Sequence, residues 1–360
     1  MSQQSSLLRD KDNALRQGLE LFDKEKYGAA QQYFNKVAEQ YPDPHAEIRK
    51  QAEYYSALCA VELFHPDAEV LLTQFIYRHP ESPLIKQAWF QLGKFFFRDK
   101  KFKKADEWFR QVEVDQLSEA DKEEYHFKSG YTHFKLDHFD QALKDFAVIK
   151  GGESSYSTTA AYYYAHIQYQ NNNYESALEE FLRLKDDEVF GAIVPFYISQ
   201  IYYLQHRYDQ VILYAQPILD STQSKRGPEI ARLIGDSYYN TSRYKEAIPY
   251  LEKYKEKGAG SRTREDDYQL GFCYFKAGQF EKAIESFQPA VGDQDALGQN
   301  AWYHLGWCQL QTGNKKFARN AWHEAAKADF DTLLKEQALF DYAKLAYELG
   351  YDPYDEAVRA

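Results

Sequence analysis

The stretch Trp89-Phe90-Gln91-Leu92-Gly93-Lys94-Phe95-Phe96-Phe97, followed by Arg98-Asp99-Lys100-Lys101 and Phe102-Lys103-Lys104-Ala105-Asp106-Glu107-Trp108-Phe109, decides the fold. Trp89, Leu92, Gly93 and Phe96 fall on one face of a helix. Phe102, Ala105, Phe109 and Val112 do the same on a second helix, and the charged tetrapeptide between them predicts a short turn. Working outward, the alanine recurs at Ala30, Ala68, Ala105, Ala142, Ala177, Ala247, Ala283 and Ala318, with Val211 in the one gap. The steps are 38, 37, 37, 35, 34, 36, 36 and 35 residues. Three residues before it an aromatic is common (Tyr27, Phe102, Phe139, Tyr174, Tyr244, Phe280), and four after it a bulky apolar residue (Phe34, Phe109, Phe146, Phe181, Leu251, Phe287). A period of this length predicts stacked two-helix units rather than one central core.

A small residue also recurs, twelve positions before the alanine: Gly18, Gly93, Gly130, Gly235, Gly271 and Gly306, with Ser56, Ala165 and Ser199 elsewhere. Glycine costs a helix about 1 kcal/mol relative to alanine, so its repetition demands a close approach between the two helices of a unit. Proline follows several second helices, as at Tyr41-Pro42 and His79-Pro80, where the missing N–H ends them. This pattern resembles the tetratricopeptide repeat, through Trp89-x-x-Leu92-Gly93, Ala105 and Phe109, and again through Trp302-x-x-Leu305-Gly306, Ala318 and Trp322. The resemblance covers nearly the whole chain. It implies an all-α solenoid of helical hairpins wound as a right-handed superhelix, and a non-catalytic role.

The expected organisation is one array over residues 1–360, with nine units and a partial tenth at 338–360. Tyr354, Ala357 and Val358 begin another copy of the motif, so the sequence is expected to be a piece of a longer array. In the second unit His65-Pro66-Asp67-Ala68 predicts proline in the first turn of the second helix. Pro217 and Pro289 fall late in second helices and are expected to kink or end them. Longer linkers at 220–228 and 257–264 mark the 216–264 segment as a flexible seam.

Composition narrows the chemistry. Aromatics are 17% of the chain, with 31 Tyr and 24 Phe, and the net charge is −11 with both signs intermixed. No basic stripe exists for tracking nucleic-acid phosphates. No run of residues is long and apolar enough for a membrane span. Cys59, Cys273 and Cys308 form no CxxC pair and read as buried packing residues. His126, His133 and His138 cluster in the fourth unit. However, the first two fall at family packing positions, and no carboxylate is expected on their face, so no metal site is assigned. Phosphate-binding glycine loops and nucleophile or zinc-protease motifs are absent from the sequence. Neither a catalytic residue nor a cofactor is assigned.

In the resembled family the first helices of each unit line the concave face. Counting from the small residue, contacts there come from positions three before, one after and four after, among others. Carried onto this chain, the resemblance implies partner contacts at Phe90, Lys94, Phe97, Phe127, Tyr131, Phe134, Tyr162, His166 and Tyr169. Further along it implies Phe196, Tyr203, Tyr268, Phe272, Phe275, Tyr303 and Trp307, while unit seven is polar with Arg232, Asp236 and Tyr239. The expected function is a scaffold or adaptor holding one or more protein or peptide segments in an aromatic-lined groove. The chain is expected to be a monomer or weakly self-associating. A chaperone-tail clamp is not expected, since only Lys94 and Lys128 match its basic positions. The alternatives are a self-assembling structural scaffold and a glycan or peptidoglycan binder. Tyr77-Arg78-His79-Pro80-Glu81-Ser82-Pro83 is similar to bacterial envelope tetratricopeptide proteins of the Tol-Pal-associated and barrel-assembly lipoprotein kinds. That similarity implies a periplasmic location, against which the three unpaired cysteines point toward the cytoplasm.

Overall fold

The computed structural model describes residues 2–221, 226–257 and 263–350. Among them are nineteen α-helices and no strand. They run as hairpins: α1 (Ser2–Asp23) with α2 (Tyr27–Gln40), α3 (Glu47–Glu62) with α4 (Ala68–Arg78), and α5 (Ile85–Arg98) with α6 (Phe102–Phe109). Next come α7 (Glu119–Lys135) with α8 (Phe139–Ile149), α9 (Ser157–Gln170) with α10 (Tyr174–Arg183), and α11 (Val194–Leu204) with α12 (Tyr208–Ser221). The rest are α13 (Gly227–Asn240) with α14 (Tyr244–Lys257), α15 (Arg264–Lys276) with α16 (Phe280–Phe287), and α17 (Ala296–Gln311) with α18 (Lys315–Lys327). The last is α19 (Thr332–Glu348). The helices form two compact units, 1–180 and 181–360, dividing within α10. Residues 222–225 and 258–262 of the 216–264 segment, and Tyr354, Ala357 and Val358, lie outside the described residues.

All nine motif positions, Val211 included, are fully buried. The glycine has an identifiable neighbour, which is the residue four after the alanine on the second helix of the same unit. A Cβ on Gly93 would sit 2.5 Å from the Phe109 ring, and one on Gly306 2.5 Å from the Trp322 indole. Gly18 meets Phe34, Gly130 meets Phe146, Gly235 meets Leu251 and Gly271 meets Phe287 in the same way, at 2.6–2.9 Å. Each of these six hairpins is therefore closed by a large side chain laid across a bare stretch of helix backbone. At Gly306 the gap also lets the Trp322 indole N–H reach the Tyr303 carbonyl at 3.1 Å.

The turn between the two helices repeats as well. Glu25, Phe64, Lys100, Asp137, Asn172, His206, Ser242, Gly278, Gly313 and Gly350 all hold φ between 57° and 82°. At Lys100, for example, its N–H donates to the Phe97 carbonyl and that of Lys101 reaches back to Phe96, both at 2.9 Å. This is a left-handed helix cap. Seven of the ten positions carry a side chain there, although glycine is the residue the conformation favours.

Proline behaves differently at its several sites. Pro66 lies before α4, which begins at Ala68, so it shapes the turn rather than the helix's first residue. Pro289 ends α16 at Phe287, and a 3₁₀ turn Gln288–Val291 follows. Pro217 does not end α12, which runs on to Ser221, and Pro249 likewise sits inside α14. Both prolines are exposed, where water can take the carbonyl left without its N–H partner.

Candidate functional site

In the first unit the rings expected to face a partner touch one another, and Tyr163, across successive first helices. Phe97 of α5 meets Tyr131 of α7 at 5.7 Å between centroids, and Tyr131 meets Tyr163 of α9 at 5.2 Å. Phe134 adds contacts to Tyr163 at 5.0 Å and His166 at 6.1 Å, and Tyr162 stacks on His166. Aromatics from the second helices brace this row: Phe102 lies 6.0 Å from both Phe97 and Tyr131, Phe139 6.0 Å from Phe134, and Tyr174 6.0 Å from Tyr169. The row is half-buried rather than free. Phe90 corrects the expectation outright: it is 1% exposed, packed against Phe109 and Tyr125. Its position, three before the glycine, lies under the ring that crosses that glycine. Phe127 against Phe146 and Tyr268 against Phe287 repeat the geometry, so in these units this position lines the core.

The second unit builds a similar row. Tyr239 of α13 meets Phe272 of α15 at 5.8 Å, and Phe272 meets His304 of α17 at 5.1 Å. His304 is also ringed by Tyr268, Phe275, Phe287 and Tyr303, and its Nδ1–H donates to the Asn300 carbonyl at 2.8 Å. Burial holds its basicity below the usual histidine value. Tyr203 packs on Tyr208, Arg226 covers Phe196, Trp307 packs on Trp322, and the Tyr303 hydroxyl donates to Asp341. His304 and Tyr163 were not among the expected contacts, since both lie two before the small residue, a position not counted, whereas Tyr239 stands at the counted position four after Gly235 in the unit read as polar.

Lysines lie over the rows. Lys128 sits 4.9 Å from the Phe97 centroid, Lys135 5.2 Å and 5.4 Å from Tyr131 and Phe134, and Lys276 5.1 Å and 5.5 Å from Phe272 and Phe275. Lys94 and Lys128 both pair with Glu124. Lys135 and Lys276 occupy the same place in their units, are exposed, and form no ion pair among the described residues. A cation over an aromatic face is attracted by the ring's electron density.

These hairpins, with their repeated closing ring, have counterparts. Residues 127–188 match the tetratricopeptide repeat family. Residues 240–325 match the family model of anaphase-promoting complex, cyclosome, subunit 3. Among solved structures, YrrB, described as a tetratricopeptide protein with an unusual peptide-binding site, is 19% identical over 55% of this chain and 97% of its own, at a TM-score of 0.45. The C-terminal part of a tetratricopeptide protein from Cytophaga hutchinsonii is 15% identical over 71% and 95%, at 0.42. The apo form of RapI is 14% identical over 88% and 96%, at 0.45. No curated protein matches the chain.

Two polar clusters lie inside the repeats. In the fourth, Asp145 of α8 accepts from His126 Nδ1 at 2.9 Å, His133 Nδ1 at 3.0 Å and Ser129 Oγ at 2.9 Å. His133 Nε2 lies 3.2 Å from Asp106, which also holds Arg110. His133 stands between two carboxylates, one on each flanking second helix. The expectation that no carboxylate meets these histidines is thus corrected. The two aspartates come from the flanking second helices, which the face of α7 alone does not reveal. Burial opposes ionisation of Asp145, but its three hydrogen bonds outweigh that and hold it below the usual carboxylate range.

In the seventh repeat Arg232 bonds Asp266 at 2.9 Å and lies 3.6 Å from Asp236. Burial pushes Asp236 up to about 6, with Arg232 pulling against it and Asp266 adding to it. A carboxyl raised in the folded state contributes stability below its unfolded value, and that contribution is lost as pH rises through about 6. Asp236→Asn should therefore raise stability by roughly 1–3 kcal/mol at pH 7.5, with no difference near pH 3.5. Urea denaturation at both pH values measures it, and equal stability at pH 7.5 would refute the burial argument. The three cysteines are free and buried, and burial pushes each thiol up to about 12. They are packing residues with little thiolate character.

Proposed function

We propose that this chain is a tetratricopeptide-type, non-catalytic scaffold that takes a partner segment along the aromatic rows of its first helices. The observation that carries this is Lys135 and Lys276, repeated at one register position over half-buried ring pairs without a carboxylate of their own. A lysine beside a ring face suits a segment that alternates acidic and apolar side chains, with its charge on the ammonium and its apolar side chain against the rings. The rings supply shape, and the lysines select sign.

A photo-crosslinking residue at position 135 should give discrete partner adducts that the same residue at the exposed position 103 of α6 does not. Lys135→Glu combined with Lys276→Glu should lower adduct yield about tenfold, the scale of losing a charge-selective contact, with circular dichroism and melting unchanged. Equal adducts from positions 135 and 103 would sink the reading. A periplasmic or envelope location remains part of the proposal, supported by the wording of residues 77–83. Two residues of that stretch also have packing roles, since His79 bonds Glu53 at 2.9 Å and Ser82 accepts from the Leu84 N–H. Fractionation of the source cells tests it: recovery with cytosolic markers counts against the envelope.

A further inference from the structure

The last described helix, α19, has two unlike faces. Ala338, Tyr342, Leu345 and Ala346 are buried, and Tyr342 and Leu345 share a cluster with Ala318 and Trp322 of α18. On the opposite side Leu333, Phe340 and Tyr347 are 79%, 65% and 77% exposed. Their spacing of seven residues sets them in one stripe along the helix. Gly350 stands in the turn after α19 as Gly313 stands in the turn after α17. By that register Phe340 and Tyr347 correspond to Tyr303 and Leu310, which lie partly buried against the cluster that α19 itself completes. By the same register Phe340 stands at the position three before the small residue and Tyr347 at the position four after it, both exposed on α19.

The stripe is also self-complementary. Glu336 and Lys344 flank it four residues before and after Phe340, both are exposed, and neither forms an ion pair among the described residues. If two copies of α19 lie antiparallel about a two-fold axis at Phe340, Leu333 of one copy is level with Tyr347 of the other. Glu336 of each is then level with Lys344 of its mate. A parallel pairing would set Glu336 against Glu336 and Lys344 against Lys344. Charge therefore selects the antiparallel arrangement.

We propose that α19 is a homodimerisation helix that pairs antiparallel with a second copy of this chain through Leu333, Phe340 and Tyr347. One helix pair buries less than the roughly 1,200 Å² of a standard interface, so the dissociation constant should be on the order of tens of micromolar. Sedimentation equilibrium of the 360-residue chain should show its mass rising from 42.2 kDa toward twice that value across this range. Phe340→Glu, at an exposed position, should stay at 42.2 kDa with unchanged circular dichroism. Glu336→Lys should weaken the dimer about tenfold at low salt, and adding Lys344→Glu should restore it to within about threefold. A wild-type chain that stays monomeric, because other residues or another protein cover the stripe, overturns the proposal. So does a dimer that survives Phe340→Glu, and failure of the charge-swapped double variant to recover overturns the antiparallel pairing.

Discussion

Phe109→Ala is expected to remove about 3–5 kcal/mol of stability from the third repeat. The side chain is 1% exposed, lies across Gly93, and touches the rings of Phe90 and Tyr125. Rings cannot collapse into the space as flexible aliphatic chains would, so the cavity persists. In a repeat array the loss should be local, and hydrogen exchange of α5 and α6 amides should accelerate before that of distant helices. The reciprocal change separates packing from helix propensity. Gly93→Ala gains about 1 kcal/mol of propensity but forces its Cβ to within 2.5 Å of a ring, an overpacking cost of about 1–3 kcal/mol. Gly28→Ala in α2 meets no atom within 4 Å and should be stabilising. A Phe109→Ala penalty below about 1 kcal/mol would show that the ring does not close the hairpin.

Asp145→Ala should cost a comparable amount, about 3–5 kcal/mol, because it strands the hydrogens of His126, His133 and Ser129 among buried groups. The pH dependence has a definite sign. Asp145 is held below its ordinary value of 3.8, so its contribution is fully present above pH 3.8 and fades as pH falls through the lowered value. The difference between wild type and Asp145→Asn should be flat from about pH 5 to 8 and shrink only in strong acid. Guanidinium denaturation across that range checks it. A difference that vanishes near pH 6 would mean that the carboxylate is not what the two histidines stabilise.

How much of this was legible in advance depends on whether one helix or two neighbours set the outcome. The fully buried motif alanines and the small residue at Gly93 or Gly306 were readable, because each position repeats one steric requirement at one period. Phe90 was not. Its spacing from the glycine is that of a row residue, and only the ring of Phe109 crossing from α6 turns that position inward. His133 reads as a packing residue on its own helix face, yet Asp106 and Asp145 reach it from α6 and α8.

By itself, the sequence determined the hairpin, its length and its small closing residue. A helix imposes a fixed angle per residue, so a face can be read from spacing alone. The left-handed turn in every repeat was hidden, since seven of its ten residues are not glycine and the conformation is imposed by the two helices it joins. Tertiary structure also decided which aromatics are core and which form a half-open row. That depends on what the adjacent helix places over each ring, and a one-dimensional period carries no record of it.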